Sequence, residues 1–144
     1  MQTSEEIRKS IVVDAPAKSV FKALSDEKEL VRWMPQQARI DLKVGGEYEF
    51  KYYWSARNLN SVVKGNILEL VPNKKISYTW DSHMIGGDNR ITHSVVTWEL
   101  EQLPEGKTKV TLVQSGVAKQ FSDDADKGWS YYLSNLAGYL KKAQ

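Results

Sequence analysis

The sequence predicts an α+β fold in which an antiparallel sheet, one early strand plus six later ones, is covered by a long C-terminal helix, in the order β-α-α-β6-α. Two periodicities carry this expectation. From about residue 39 to 116, apolar residues fall on alternate positions, the spacing of strands with one buried face. From about 123 to 142 the spacing turns helical, with Trp129, Leu133, Leu136 and Leu140 on one stripe, widened by Tyr132 and Tyr139. A chain of 144 residues has the length of one ordinary domain, so residues 1–144 are read as a single domain around a single core.

Each element has its own signal. Ile7, Ile11 and Val13 share one parity and make a first strand. Pro16 ends it and starts a short helix over about 16 to 24, with Val20, Phe21 and Leu24 on its inner face. Ser25 or Asp26 caps a second short helix that presents Leu30, Trp33 and Met34 and stops at Pro35. In the sheet region, Tyr48, Phe50, Tyr52 and Trp54 alternate with Glu47, Glu49 and Lys51. Ile76, Tyr78 and Trp80 repeat the pattern, as do Val96, Trp98 and Leu100, so three neighbouring strands point aromatics one way. Val110 and Leu112 continue it after the turn Pro104-Glu105-Gly106-Lys107. Between Ser61 and Val71 two apolar sets compete for the inner face, Val63 with Ile67 against Val62, Leu68 and Leu70, which leaves the register open. Gly45-Gly46 and Asn73-Lys74 supply hairpin turns. A longer loop from Ser82 to Arg90 carries the apolar tips Met84 and Ile85. Ser122 caps the last helix, with Asp123, Asp124 and Asp126 at its positive end and Lys141 and Lys142 at its negative end.

Composition narrows the chemistry. Twenty Lys and Arg against 18 Asp and Glu give a formal charge of +2, too weak a field to argue for nucleic acid or anionic membrane as partner. RNA-binding sheets that display rings flank them with basic residues, whereas Glu47, Glu49, Glu99 and Glu101 hold the alternate positions here. The absence of cysteine removes thiolate nucleophiles and zinc–cysteine sites. The polar start, Met1 to Glu6, lacks the marks of a signal peptide, and no apolar run is long enough to span a bilayer. A cytoplasmic, monomeric protein without a cofactor or bound metal is expected. With only His83 and His93 present, neither in a recognisable motif, no residue is assigned a catalytic role.

The local sequence also resembles a known family. Ala15-Pro16, then Val20-Phe21-Lys22-Ala23-Leu24-Ser25-Asp26 and Trp33, are similar to the opening signature of SRPBCC proteins related to the C-terminal domain of the activator of heat-shock protein 90 ATPase. Gly45-Gly46-Glu47-Tyr48, Gly65 through Pro72, Ile76 to Trp80, Val95 to Leu100, Gly106-Lys107-Thr108 and Gly128-Trp129 resemble its later segments. The resemblance implies the helix-grip fold, a curved antiparallel sheet wrapped around the long C-terminal helix, with a hydrophobic cavity between them that in many relatives accepts lipids, sterols, polyketides or plant phenolics. Many relatives carry a histidine just before the glycine that closes the last strand, where this chain reads Gln114-Ser115-Gly116, so no role for that histidine transfers.

The fifteen aromatic residues, five of them tryptophan, admit two readings. One is plain core. The other is a ligand cavity, since Tyr and Trp carry polar groups that make them costly filler beside Leu or Ile. On the second reading the ligand-binding residues are Trp33, Tyr48, Phe50, Tyr52, Trp54, Tyr78, Trp80, Trp98, Leu112, Gln114, Trp129, Leu133 and Leu136, with Met84 and Ile85 at the entrance. The expected function is binding of a small hydrophobic molecule, lipid-like or polyphenolic, for sensing, storage or transport. The resemblance implies a second expectation, a co-chaperone-like activator of the chaperone ATPase. A cyclase or hydrolase using the same cavity is the third.

Overall fold

The computed structural model describes residues 4–54, 59–84 and 89–143; within them the side chains of residues 4, 53, 54, 59, 60, 84, 89–92 and 143 fall outside the description. The described residues build a seven-stranded antiparallel sheet and a long C-terminal helix. The strands are β1 (Ser4–Val13), β2 (Gln37–Ile40), β3 (Glu47–Trp54), β4 (Leu59–Val71), β5 (Lys75–Met84), β6 (Asn89–Gln102) and β7 (Thr108–Ala118); the helices are α1 (Ala17–Ser25), α2 (Glu27–Leu30) and α3 (Ser122–Ala143). Sheet order is β1-β7-β6-β5-β4-β3-β2, so the first strand closes one edge beside the last and the other five follow as a meander.

The short helices are tied to the sheet by their ends. Pro16 precedes α1 in extended conformation, and the Ala17 N–H, which has no intrahelical partner, donates to Oε1 of Gln102 on β6 at 2.8 Å. Asp26 caps α2 by accepting from the Lys28 N–H at 2.8 Å. Ser25 takes no capping part; its hydroxyl donates to the Phe21 carbonyl inside α1. Ser122 likewise differs from expectation. A 3-10 turn, Lys119–Phe121, runs directly into α3, and the Ser122 hydroxyl donates back to the Lys119 carbonyl at 2.9 Å. A 3-10 lead-in satisfies the first turn without a capping side chain.

β4 chooses Val63 and Ile67 for its inner face, both buried, while Leu68 is exposed. A register shift between Ile67 and Glu69 then changes parity, so that Leu70 returns to pack on the core. β4 also lies between β3 and β5, so the aromatic strands are not all adjacent. Gly65 bridges that separation. It sits opposite Tyr48, and with no side chain on Gly65 the Tyr48 ring reaches across β4 to Tyr78, centroids 4.7 Å apart. The β4–β5 ladder opens there between Lys64↔Asp81 and Ile67↔Tyr78. Side chains take over its hydrogen bonds: the Tyr48 hydroxyl donates to the Thr79 carbonyl at 2.6 Å and the Asn66 N–H donates to the Thr79 hydroxyl at 2.9 Å.

A Cβ on Gly65 would collide with the Thr79 carbonyl and hydroxyl. Gly65→Ala is therefore expected to lower stability by about 1–3 kcal/mol, the usual cost of forced overpacking, read as a lower denaturation midpoint with an unchanged slope.

Candidate functional site

The inner face of the sheet divides into a filled part and an open part. In the filled part the rings meet one another. Trp98, fully buried, lies edge-on to Trp33 at 6.0 Å and to Trp129 at 5.7 Å, and its indole N–H donates to the Tyr78 hydroxyl at 2.9 Å. Tyr48, Phe50 and Tyr78 close on each other and on Trp80 at centroid distances of 4.7 to 6.5 Å. The Trp33 indole donates to the Ala23 carbonyl at 2.9 Å. Leu112, Leu133 and Leu136 are buried in the same cluster. Polar handles that invite a ligand reading are thus answered internally, and among the described residues every buried side-chain nitrogen and oxygen has a partner.

The open part is a cavity of about 140 Å³ toward the N-terminal half of α3. Sheet residues form one wall: Tyr52 of β3, Ser61 and Val63 of β4, Trp80 and Ser82 of β5, and Gln114 of β7. Ala125, Gly128, Trp129 and Tyr132 form the other, at the i, i+3, i+4, i+7 spacing that puts them on one face of α3. The Trp80 and Trp129 rings stand 5.2 Å apart.

A hydrogen-bonded relay fixes the cavity floor. The Trp129 indole N–H donates to Oε1 of Gln114 at 2.7 Å; Nε2 of Gln114 donates to the Ser94 hydroxyl at 3.1 Å, and that hydroxyl donates to the Trp80 carbonyl at 2.7 Å. Because an indole is donor only, it dictates which end of the Gln114 amide is the oxygen. The amide has two N–H groups and two carbonyl lone pairs, of which these bonds use one each.

Among the described residues the lining holds no carboxylate, imidazole, ammonium or guanidinium. Its ionisable groups are phenols held neutral: burial, with Tyr131 adding, pushes Tyr132 up to about 12, and burial first, then Tyr132 and Tyr78, raises Tyr52 well above the ordinary tyrosine value. His83 stands on the strand position between Ser82 and Met84 and His93 is exposed; neither lines the cavity. Among the described residues no group of His, Asp and Glu could hold a metal ion.

Of the expected ligand-binding residues, the structure brings Tyr52, Trp80, Gln114 and Trp129 together around the cavity. Trp33, Tyr48, Phe50, Tyr78, Trp98, Leu112, Leu133 and Leu136 stand in the filled core and do not line it. Trp54 and Met84 pair in their strands, but their side chains lie outside the described residues, as does Ile85 altogether. Sequence reasoning missed Ser61, Val63, Ser82, Ala125, Gly128 and Tyr132 as wall residues. The usable signal was the helical spacing of Ala125, Gly128 and Tyr132 about Trp129. A larger depression on the outer face, lined by Arg39, Asp41, Glu47, Lys64 and Asp81, is a surface of mixed charge.

Two outcomes follow. Gln114→Leu leaves the Trp129 N–H and the Ser94 hydroxyl without their buried partner and is expected to cost about 1–3 kcal/mol of stability, measured by denaturant unfolding. Tyr48, Tyr52, Tyr78 and Tyr132 all have folded-state values raised above the ordinary value near 10, first by burial. Their protonated forms stabilise the fold fully below that pH, and the stabilisation is lost as pH rises from about 10 toward 12 and beyond. Thermal melts should fall steeply over that range, with tyrosinate absorbance growing as the protein unfolds.

The family model for "Activator of Hsp90 ATPase homolog 1-like protein" matches residues 14–141. No curated protein matches the chain. Among solved structures, protein CV1439 from Chromobacterium violaceum is 26% identical, superposes with a TM-score of 0.78, and the match covers 94% of this chain and 96% of that one. Mll3558 from Rhizobium loti is 18% identical with a TM-score of 0.85, covering 97% and 99%. The Aha1 dimer from Colwellia psychrerythraea is 18% identical with a TM-score of 0.76, covering 94% and 96%. No helix among the described residues is long and apolar enough to cross a membrane.

Proposed function

The chain belongs to the Activator of Hsp90 ATPase homolog 1-like family, and from the cavity it carries we propose that it binds a small, uncharged, hydrophobic molecule between the sheet and α3. The observation that carries this reading is the contrast within one aromatic face: Phe50, Tyr78 and Trp98 are fully buried among other side chains, while Trp80 and Trp129, themselves in contact at 5.2 Å, border open space together with Tyr52 and Val63. Native interiors are close-packed, so a retained void walled by rings and a few polar groups has the character of a ligand site. Binding and delivery fit the lining better than cyclase or hydrolase chemistry, which needs an acid or base where this cavity offers neutral hydroxyls and an amide.

Trp80 and Trp129 make binding visible in intrinsic fluorescence. A panel of phenols, flavonoid-like phenolics and fatty acids should include a compound that quenches or shifts it. At a free concentration of 100 times its Kd that compound raises stability by about 2.7 kcal/mol. No fluorescence change and no thermal stabilisation across the panel contradicts the proposal. The family match favours a second reading, contact with a heat-shock chaperone; it predicts faster ATP turnover by the chaperone when this protein is added, whether or not the cavity is occupied.

A further inference from the structure

Resting on the ligand-binding reading above, we infer that the cavity selects a single neutral aromatic ring carrying one hydrogen-bonding group, a phenol or its close analogue, and that Gly128 sets the size limit. Volume sets the size of the part that can be buried. An apolar protein cavity of about 150 Å³ holds one benzene, and pockets for drug-sized ligands begin near 300 Å³; the space here is about 140 Å³. A sterol, a two-ring phenolic or an acyl chain exceeds it and would project from its open side, leaving apolar surface in water.

Polarity narrows the class further. Trp80, Trp129 and Val63 offer ring and methyl surface, while Ser61, Ser82 and Gln114 offer groups that both donate and accept. A ring with no polar atom strips water from these groups and returns nothing, and a carboxylate meets no cation among the described lining residues. A neutral hydroxyl on a ring satisfies both demands. The raised values of Tyr52 and Tyr132 agree, because both phenols stay neutral donors at ordinary pH.

Gly128 is the residue that leaves the room. It lies inside α3, where glycine is less stable than alanine, yet a Cβ built on it meets nothing within 4 Å. A larger residue there fits the helix and occupies the cavity. Gly138, on the same helix, also has open space around its Cβ position but is exposed and away from the cavity.

Calorimetric titration of the full chain at neutral pH with phenol, sodium benzoate, 1-naphthol and decanoic acid tests this. Phenol should bind at least about tenfold more tightly than each of the others, since the unpaired charge or extra volume penalises them. Gly128→Leu should weaken phenol binding by about tenfold or more, and Gly128→Ala by less, while both melt no lower than the parent. Gly138→Ala should melt no lower and bind phenol as the parent does. Tighter binding of 1-naphthol or decanoate than of phenol, or phenol binding unchanged in Gly128→Leu, overturns the inference but leaves cavity binding standing. Silence toward all four compounds overturns both.

Discussion

The hydrogen bond from the Trp129 indole to Gln114, 2.7 Å long, registers the helix on the sheet. α3 lies over a face made of rings, and rings alone permit sliding and rotation. A directed bond from an indole, which has a single donor and no acceptor, restricts that freedom, and the Lys9–Asp126 ion pair and the bonds from Asn135 to the Trp33 carbonyl and from Tyr139 to Glu29 hold the same helix. The relay beyond it, through Gln114 and Ser94 to the Trp80 carbonyl, joins α3, β7, β6 and β5 in one satisfied network. Such a network specifies one arrangement because each partner lost leaves another buried and unpaired.

From that anchor the inner face separates into two environments. On the side of Trp98, Trp33 and Tyr78 the indole and phenol groups bond to one another and to backbone, so the aromatic excess is core with its polar atoms answered. On the side of Tyr52 and Trp80 the opposing α3 residues include Ala125 and Gly128, too small to fill the gap. The cavity is therefore made by small residues on the helix, and the aromatics give it walls.

Much of the fold was legible because burial imposes period. Tyr48, Phe50 and Tyr52 are buried as their alternation requires, and Trp129, Leu133, Leu136 and Leu140 are buried as their helical spacing requires. The ring contacts were not legible, since Tyr48 touches Tyr78 only across Gly65, and β4 changes parity at a bulge that no local pattern marks. Ser122 misled for a similar reason: a 3-10 turn ahead of α3 reverses the role of its hydroxyl. The cavity was half legible. Large wall residues announce themselves, whereas Ser61, Ser82, Ala125 and Gly128 matter through the volume they leave empty.

The central claim is that, among the described residues, the aromatic rings close on one another around Trp98 and Tyr78 and leave a ring-sized space open against α3. Xenon, which occupies apolar cavities of this size, reports on it directly. A crystal of the protein pressurised with xenon should show an atom bounded by Val63, Trp80 and Trp129, and none among Tyr48, Phe50, Tyr78 and Trp98. Xenon within that deeper cluster, or none in the space that Val63, Trp80 and Trp129 line, contradicts the account.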